Sequence, residues 1–233
     1  MHVWLAKLDQ PLETLRALRH LLSPDEIHRA ERFHFRKDRE HFTVARGVLR
    51  TILGGYLRVE PTQLHFAYSA YGKPALAGIK DHRTLRFNLS HSHELALYAF
   101  TLKRDIGLDL EYRREDFASE QIAEQFFSAR EVETLRALPP RLRTEGFFNC
   151  WTRKEAYVKA VGLGLSLPLD QFDVSLAPSE PAALLRTGDD ERETARWSLR
   201  ELTPAEGYAA ALAVEGHDWQ LKCWHWTSLD NLG

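Results

Sequence analysis

Ile106-Gly107-Leu108-Asp109-Leu110-Glu111 is the stretch that decides how this chain is read. Side chains alternate along a strand, so Ile106, Leu108 and Leu110 share one face while Gly107, Asp109 and Glu111 share the other. The wholly apolar face predicts a central strand, and central strands rarely carry two unpaired acids without a reason. Gly107, on the acidic face, leaves room for a ligand beside the backbone. Further along, Trp151-Thr152-Arg153-Lys154-Glu155-Ala156-Tyr157-Val158-Lys159 has helical spacing, with Trp151, Glu155 and Lys159 at i, i+4 and i+8 on one face. If the two faces meet, three carboxylates and a lysine converge, a set that suits a divalent cation and a phosphate. Plainer readings use the same residues: a solvated acidic strand face, and an intrahelical Glu–Lys pair worth about 0.3 kcal/mol.

Around these stretches the pattern is mixed helix and strand. Met1 to Lys7 reads as a first strand and Leu12 to Leu22 as a helix. Ser23-Pro24-Asp25-Glu26 is a helix start, with an N-cap residue, proline at the first position and early acids. A long helical region, broken once, follows to Leu57. Strands are expected at Leu64–Tyr68, Leu85–Leu89 and Leu95–Leu102. Ser128-Ala129-Arg130-Glu131 then echoes Ser23-Pro24-Asp25-Glu26, and Phe147 to Val161 is a second long helix. Strands at Phe172–Ser175, Arg196–Glu201, Ala209–Val214 and Gln220–Trp226 close the chain. Pro139-Pro140-Arg141 reads as a loop tip, and Pro178 to Glu193 as a polar hairpin or excursion. The prediction is an α+β protein of two similar halves joined near Leu102–Asp105.

Composition excludes several classes. The chain has 233 residues, 44% apolar and 27% charged, with a net charge of −2, so bulk nucleic-acid or membrane affinity is not expected. No apolar run approaches the roughly 20 residues of a membrane helix, and the N-terminus lacks a signal-peptide pattern. Cys150 and Cys223 have no metal-ligand spacing and suit reduced thiols in the cytoplasm. Zinc thiolates, HExxH and calcium-loop patterns are absent.

Other stretches carry chemistry less clearly. Ser90-His91-Ser92-His93 reads as a phosphate-holding loop, with a zinc pair, a Ser–His nucleophile or a turn with surface histidines as alternatives. Lys73 in Tyr71-Gly72-Lys73-Pro74 is a turn cation or a ligand contact. Arg29, Arg32, Arg36, Arg39, Arg46 and Arg50 form a solvated helical face or a phosphate-holding one.

Six motifs occur in the order found in one family. They are Tyr71-Gly72-Lys73-Pro74, Phe87-Asn88-Leu89-Ser90-His91-Ser92, Ile106 to Glu111, Phe126-Phe127-Ser128, Trp151 to Lys159, and Gly162-Leu163-Gly164-Leu165-Ser166-Leu167-Pro168-Leu169. The chain resembles 4′-phosphopantetheinyl transferases of the broad-specificity type that prime acyl and peptidyl carrier proteins. The resemblance implies an α+β fold of two similar α/β subdomains in a pseudo-twofold arrangement, residues 1–103 and 104–233, acting as a monomer. It implies coenzyme A as the substrate, magnesium or manganese as the metal, and adenosine 3′,5′-bisphosphate as the product. Asp109, Glu111 and Glu155 would hold the metal, with Glu155, Lys159 and Asp109 catalytic. Arg29, Arg46, Lys73, Ser90, His91, Lys154 and Lys159 would bind the coenzyme, and Arg113, Arg114, Phe117 and Ile122 would meet the carrier. Two departures are Glu26, where some relatives carry lysine, and His93, where glycine is common. A non-catalytic binding module and a metal-dependent phosphohydrolase are the competing classes.

Overall fold

The computed structural model describes residues 1–78, 85–188 and 190–228, so Asp189, in the Pro178–Glu193 stretch, lies outside the described residues. The first half runs β1 (His2–Lys7), α1 (Leu12–His20), α2 (Pro24–Glu31), α3 (Arg36–Leu57), β2 (His65–Tyr68), β3 (Pro74–Ala77), β4 (Leu85–Ser92) and β5 (Leu95–Leu102). The second repeats that order as β6 (Ile106–Tyr112), α4 (Glu120–Phe126), α5 (Ala129–Ala137), α6 (Pro140–Val161), β7 (Phe172–Val174), β8 (Leu184–Thr187), β9 (Trp197–Leu202) and β10 (Tyr208–Glu215). A short helix α7 (Glu191–Arg196) is inserted before β9, and β11 (Lys222–His225) follows β10.

The sheets repeat as the elements do. One has the order β11-β1-β5-β4 and the other β6-β10-β9, and in both halves the first strand lies antiparallel to the last. The pairs β2–β3 and β7–β8 form matching small antiparallel sheets. β11 breaks the correspondence. It crosses back and pairs in parallel with β1, so residues 104–233 do not all lie in the second half.

Alternation sends each strand's side chains to two cores, and the layers stack helix, sheet, sheet, helix. Trp4, Ala6, Ala96, Tyr98 and Phe100 meet Val48, Leu49 and Ile52 of α3. Val3, Leu97 and Ala99 meet Ile106, Leu108, Leu110 and Leu212 between the sheets. Ala209, Ala211 and Ala213 meet Ala156 and Ala160 of α6 on the far side.

The two helix starts that echo each other in sequence are one device used twice. Glu26 caps α2 by accepting from the Ser23 amide at 3.1 Å, is buried, and pairs with Arg50 at 2.6 Å. Glu131 caps α5 by accepting from the Ser128 amide at 2.9 Å, is buried, and pairs with Lys154 at 2.7 Å. Counted from the first residues of α3 and α6, Arg50 and Lys154 occupy the same position. Arg50 also donates to the carbonyls of Pro61 and Leu64, and Lys154 to those of Leu169 and Phe172. Each cation thus joins its long helix to the segment that follows it.

Four local expectations change, the first being that β6, read as a central strand, lies at the edge of its sheet. Pro139-Pro140-Arg141 is not a loop tip, because α6 begins at Pro140, where a helix loses nothing by lacking an amide proton. Ser90 to Ser92 are the end of β4 rather than a loop, and His93 takes the tight turn to β5 with a φ of 54°. That positive φ explains why glycine suits the position. Gly107 does make room on the acidic face of β6, but the room is filled by α6. A Cβ there would stand 2.0 Å from the Ala156 carbonyl oxygen and 2.3 Å from the Ala160 nitrogen. Gly107→Ala must therefore push α6 off the sheet. We expect a loss of about 3 kcal/mol in denaturant unfolding; a loss below about 1 kcal/mol would contradict this packing.

Candidate active site

The close seating of α6 on β6 brings the two acidic faces together. Lys159 Nζ lies 2.5 Å from Asp109 Oδ1, and Ser90 Oγ donates to the same oxygen at 3.1 Å. Lys159 also donates to Ser90 Oγ at 3.2 Å. Ser92 Oγ donates to Glu111 Oε2 at 2.9 Å. Asp109, Glu111, Glu155, Lys159, Ser90 and His91 together line a hollow of about 430 Å³. It shares Leu89, Trp151, Glu155 and Lys159 with a larger hollow of about 910 Å³, whose far wall is the Tyr71–Pro74 turn and the Gly162–Asp170 segment. Trp151 is held between them against Phe117 and Phe126, at ring separations of 5.4 and 5.7 Å.

Electrostatics follow from crowding. Burial raises the Glu155 carboxyl above its ordinary pKa, and the nearby Asp109 charge adds to the shift. Glu111 is raised by the same two causes in the same order, despite its bond from Ser92. Burial works against the Lys159 ammonium, but Asp109, Glu155 and Glu111 outweigh it and hold the lysine above its usual value. His91, at the mouth, is lowered by the surrounding protein and then by Lys159.

The residues fit a hard divalent cation. Asp109 Oδ2 is buried without a hydrogen-bond partner, and the neighbouring donors are carboxylate oxygens. Among the described residues, no three His, Cys, Asp or Glu side chains are already gathered into a group that could hold a metal by itself. A cation here would complete its shell with water and substrate oxygens, which is how magnesium is usually bound.

A second set of contacts runs along the edge of β6. Among the described residues no strand pairs with that edge. Instead Leu108 N–H donates to Asn88 Oδ1 at 2.8 Å, Leu110 N–H to Ser90 Oγ at 3.2 Å, and Tyr112 N–H to Ser92 Oγ at 3.0 Å. Lys73 completes the row by donating to the Ile106 carbonyl at 3.1 Å and the Lys159 carbonyl at 2.5 Å. Side chains of the first half thus bond the backbone of the second. Nothing in the sequence pattern announced this role for Asn88, although Asn-x-Ser-x-Ser alternation on one strand face was visible in β4.

The other expected contacts are distributed as follows. Lys73 lines the larger hollow and keeps one ammonium proton beyond its two carbonyls. Arg29 is exposed, with its guanidinium 5.6 Å from the Phe42 ring centre. Arg46 is buried near Phe42, Glu26 and Tyr68, donating to the Tyr68 hydroxyl; neither arginine lines the two hollows. Lys154 is a correction: it is fully buried off the Trp151–Glu155–Lys159 face of α6, committed to Glu131 and two carbonyls, and cannot reach a ligand in the cleft. Glu26, where some relatives carry lysine, is a buried partner of Arg50. Phe117 and Ile122 are half-buried against the second core, and Arg114 is exposed over Phe117.

Comparison with known proteins agrees in both halves. The 4′-phosphopantetheinyl transferase superfamily matches residues 105–213, and the family described as 4′-phosphopantetheinyl transferase, N-terminal, matches residues 9–102. The 4′-phosphopantetheinyl transferase HetI of Nostoc sp. is 46% identical over 97% of this chain and 92% of its own length. The 4′-phosphopantetheinyl transferase Sfp of Bacillus subtilis is 30% identical over 76% of this chain and 77% of its own.

Two expectations follow from the geometry. Lys154→Met leaves Glu131 buried and unpaired, so stability should fall by about 3–5 kcal/mol while coenzyme A affinity of the folded protein is unchanged; weakened binding would return Lys154 to the site. Burial lowers Lys73 to about 8, with Arg86 acting in the same direction against Asp105. Between that pH and the ordinary lysine range the unfolded chain binds more protons, so the stability contributed by this group rises with pH. Thermal melts should show wild type gaining on Lys73→Met as pH climbs through that window, and a constant difference would contradict the shift.

Proposed function

The chain belongs to the 4′-phosphopantetheinyl transferase family, enzymes that move phosphopantetheine onto carrier proteins, and from that premise we propose how this cleft does so. Coenzyme A is the donor, its pyrophosphate lying at the acidic hollow and its remainder in the larger one. Asp109, Glu111 and Glu155 hold magnesium. When bound, the metal neutralises pyrophosphate charge and favours in-line displacement.

The carrier's serine hydroxyl attacks the β-phosphorus. A serine–phosphorus bond forms, the bond to the bridging oxygen breaks, and adenosine 3′,5′-bisphosphate departs. Glu155, which lines the acidic hollow beside Lys159, accepts the serine proton. Lys159, held charged by three acids, donates to the departing oxygen. His91 at the mouth and Lys73 on the far wall face the nucleotide phosphates, with Arg29 and Arg46 supplying more distant positive charge. Arg114 and the half-buried Phe117 and Ile122 meet an acidic carrier surface. One chain supplies both walls, so a monomer suffices. The two free thiols, Cys150 and Cys223, accord with the cytoplasm, and no helix of the described residues is long and apolar enough to cross a membrane.

The observation that carries this reading is the meeting of Asp109, Glu111, Glu155 and Lys159 in one hollow, with an unpartnered Asp109 oxygen among them. Mass spectrometry of a carrier protein incubated with coenzyme A and Mg²⁺ tests it. Asp109→Ala and Glu155→Ala should each slow the mass gain by about a hundredfold or more, as should Lys159→Met. Transfer at wild-type rate by either acid variant would refute the assignment. Product released from coenzyme A without any carrier would identify a phosphohydrolase instead.

A further inference from the structure

Ser90 and Ser92 stand one above the other on β4, and each makes the same pair of bonds. Ser90 Oγ accepts Leu110 N–H and donates to Asp109; Ser92 Oγ accepts Tyr112 N–H and donates to Glu111. Each hydroxyl therefore takes the amide of the residue that follows an acid and gives its proton to that acid. A serine hydroxyl has one proton and two lone pairs. For Ser90 all three are used, since the second lone pair accepts from Lys159. Its rotor has no freedom left.

The third rung separates stitching from clamping. Asn88 accepts Leu108 N–H, but the residue before Leu108 is Gly107, which has no side chain to hold. An acceptor alone satisfies the backbone there. At 90 and 92 a group that also donates is present, opposite the two acids. The effect on Asp109 is specific. Ser90 and Lys159 both engage Oδ1, so Oδ2 is left buried and bare. A buried carboxylate oxygen without a partner is costly, and a free carboxylate would turn to share its bonds.

We propose that Ser90 and Ser92 are positioning residues that clamp one oxygen of Asp109 and of Glu111, aiming the carboxylates at a divalent cation. The proposal rests on the metal reading given above. Side chains that orient a metal's ligands are typically worth 10- to 100-fold in affinity.

Binding of Mn²⁺, followed by the loss of its free-ion electron paramagnetic resonance signal, tests the clamp without turnover or carrier protein. With coenzyme A present, Ser90→Ala and Ser92→Ala should each raise the Mn²⁺ dissociation constant about 10- to 100-fold. Ser90→Thr, which keeps the hydroxyl, should stay near wild type. Asn88→Ala should lower the melting temperature, as loss of a stitch must, without moving Mn²⁺ affinity. If Ser90→Ala does not fold, the half-buried Ser92 carries the test. Serine-to-alanine variants that bind Mn²⁺ within twofold of wild type would overturn the clamp and leave the metal reading intact. A wild type that binds no Mn²⁺ would overturn both.

Discussion

The free edge of β6 is the constraint around which the rest is arranged. A strand edge buried against another sheet must place its amides and carbonyls somewhere, or lose about 1–3 kcal/mol for each one left bare. Here Asn88, Ser90 and Ser92 take the amides, and Lys73 takes a carbonyl. These four side chains come from the first half of the chain, so satisfying one strand also fixes the angle between the halves. The acids of β6 alternate with the bonded amides and are therefore fixed at the same moment. Catalytic geometry and the seam between halves share two side chains, Ser90 and Ser92, which hold the β6 amides and the acids beside them.

The duplication is close in architecture and unequal in chemistry. Trp4 faces Tyr98 and Asp109 faces Ala211, and those partners hold the same place in β5 and β10. On that match Trp4 and Ala6 stand where Asp109 and Glu111 stand, and Thr51 and Gly55 of α3 correspond to Glu155 and Lys159. The Glu26–Arg50 and Glu131–Lys154 pairs, by contrast, are kept in both halves. Buried capping pairs hold up the repeat unit, whereas reactive groups are needed once. In the first half the matching face is packed apolar, with Trp4 stacked on Trp224 and hydrogen-bonded to Tyr56.

Much of this was legible in the sequence where one residue's neighbours determine its role. The alternation of Ile106 to Glu111 and the i, i+4, i+8 face of Trp151, Glu155 and Lys159 are local regularities, and both faces form as expected. The echo of Ser23 to Glu26 in Ser128 to Glu131 marks the repeat for the same reason. Residues whose role depends on a distant partner were misread. Lys154 looks like a site lysine beside Glu155, yet a helix turns 100° per residue and carries it off that face, onto Glu131. Ser90 and Ser92 look like a loop because serine and histidine favour turns, but a facing strand edge makes a hydroxyl ladder worthwhile. Gly107 signalled a close approach correctly; only contact with α6 shows what approaches.

The crossing of β11 back to β1 has a consequence in time. During synthesis, β1, β5 and β4 are available once the first hundred or so residues have emerged, but β1 keeps an open edge until residues 222–225 arrive. The seam contacts of β4 likewise wait for β6. The early half is thus held as a sheet with a bare edge until residues 222–225 have been made, the kind of intermediate that attracts stray strands. β11 closes the edge of β1, so that sheet is complete only when residues 222–225 meet residues 2–5.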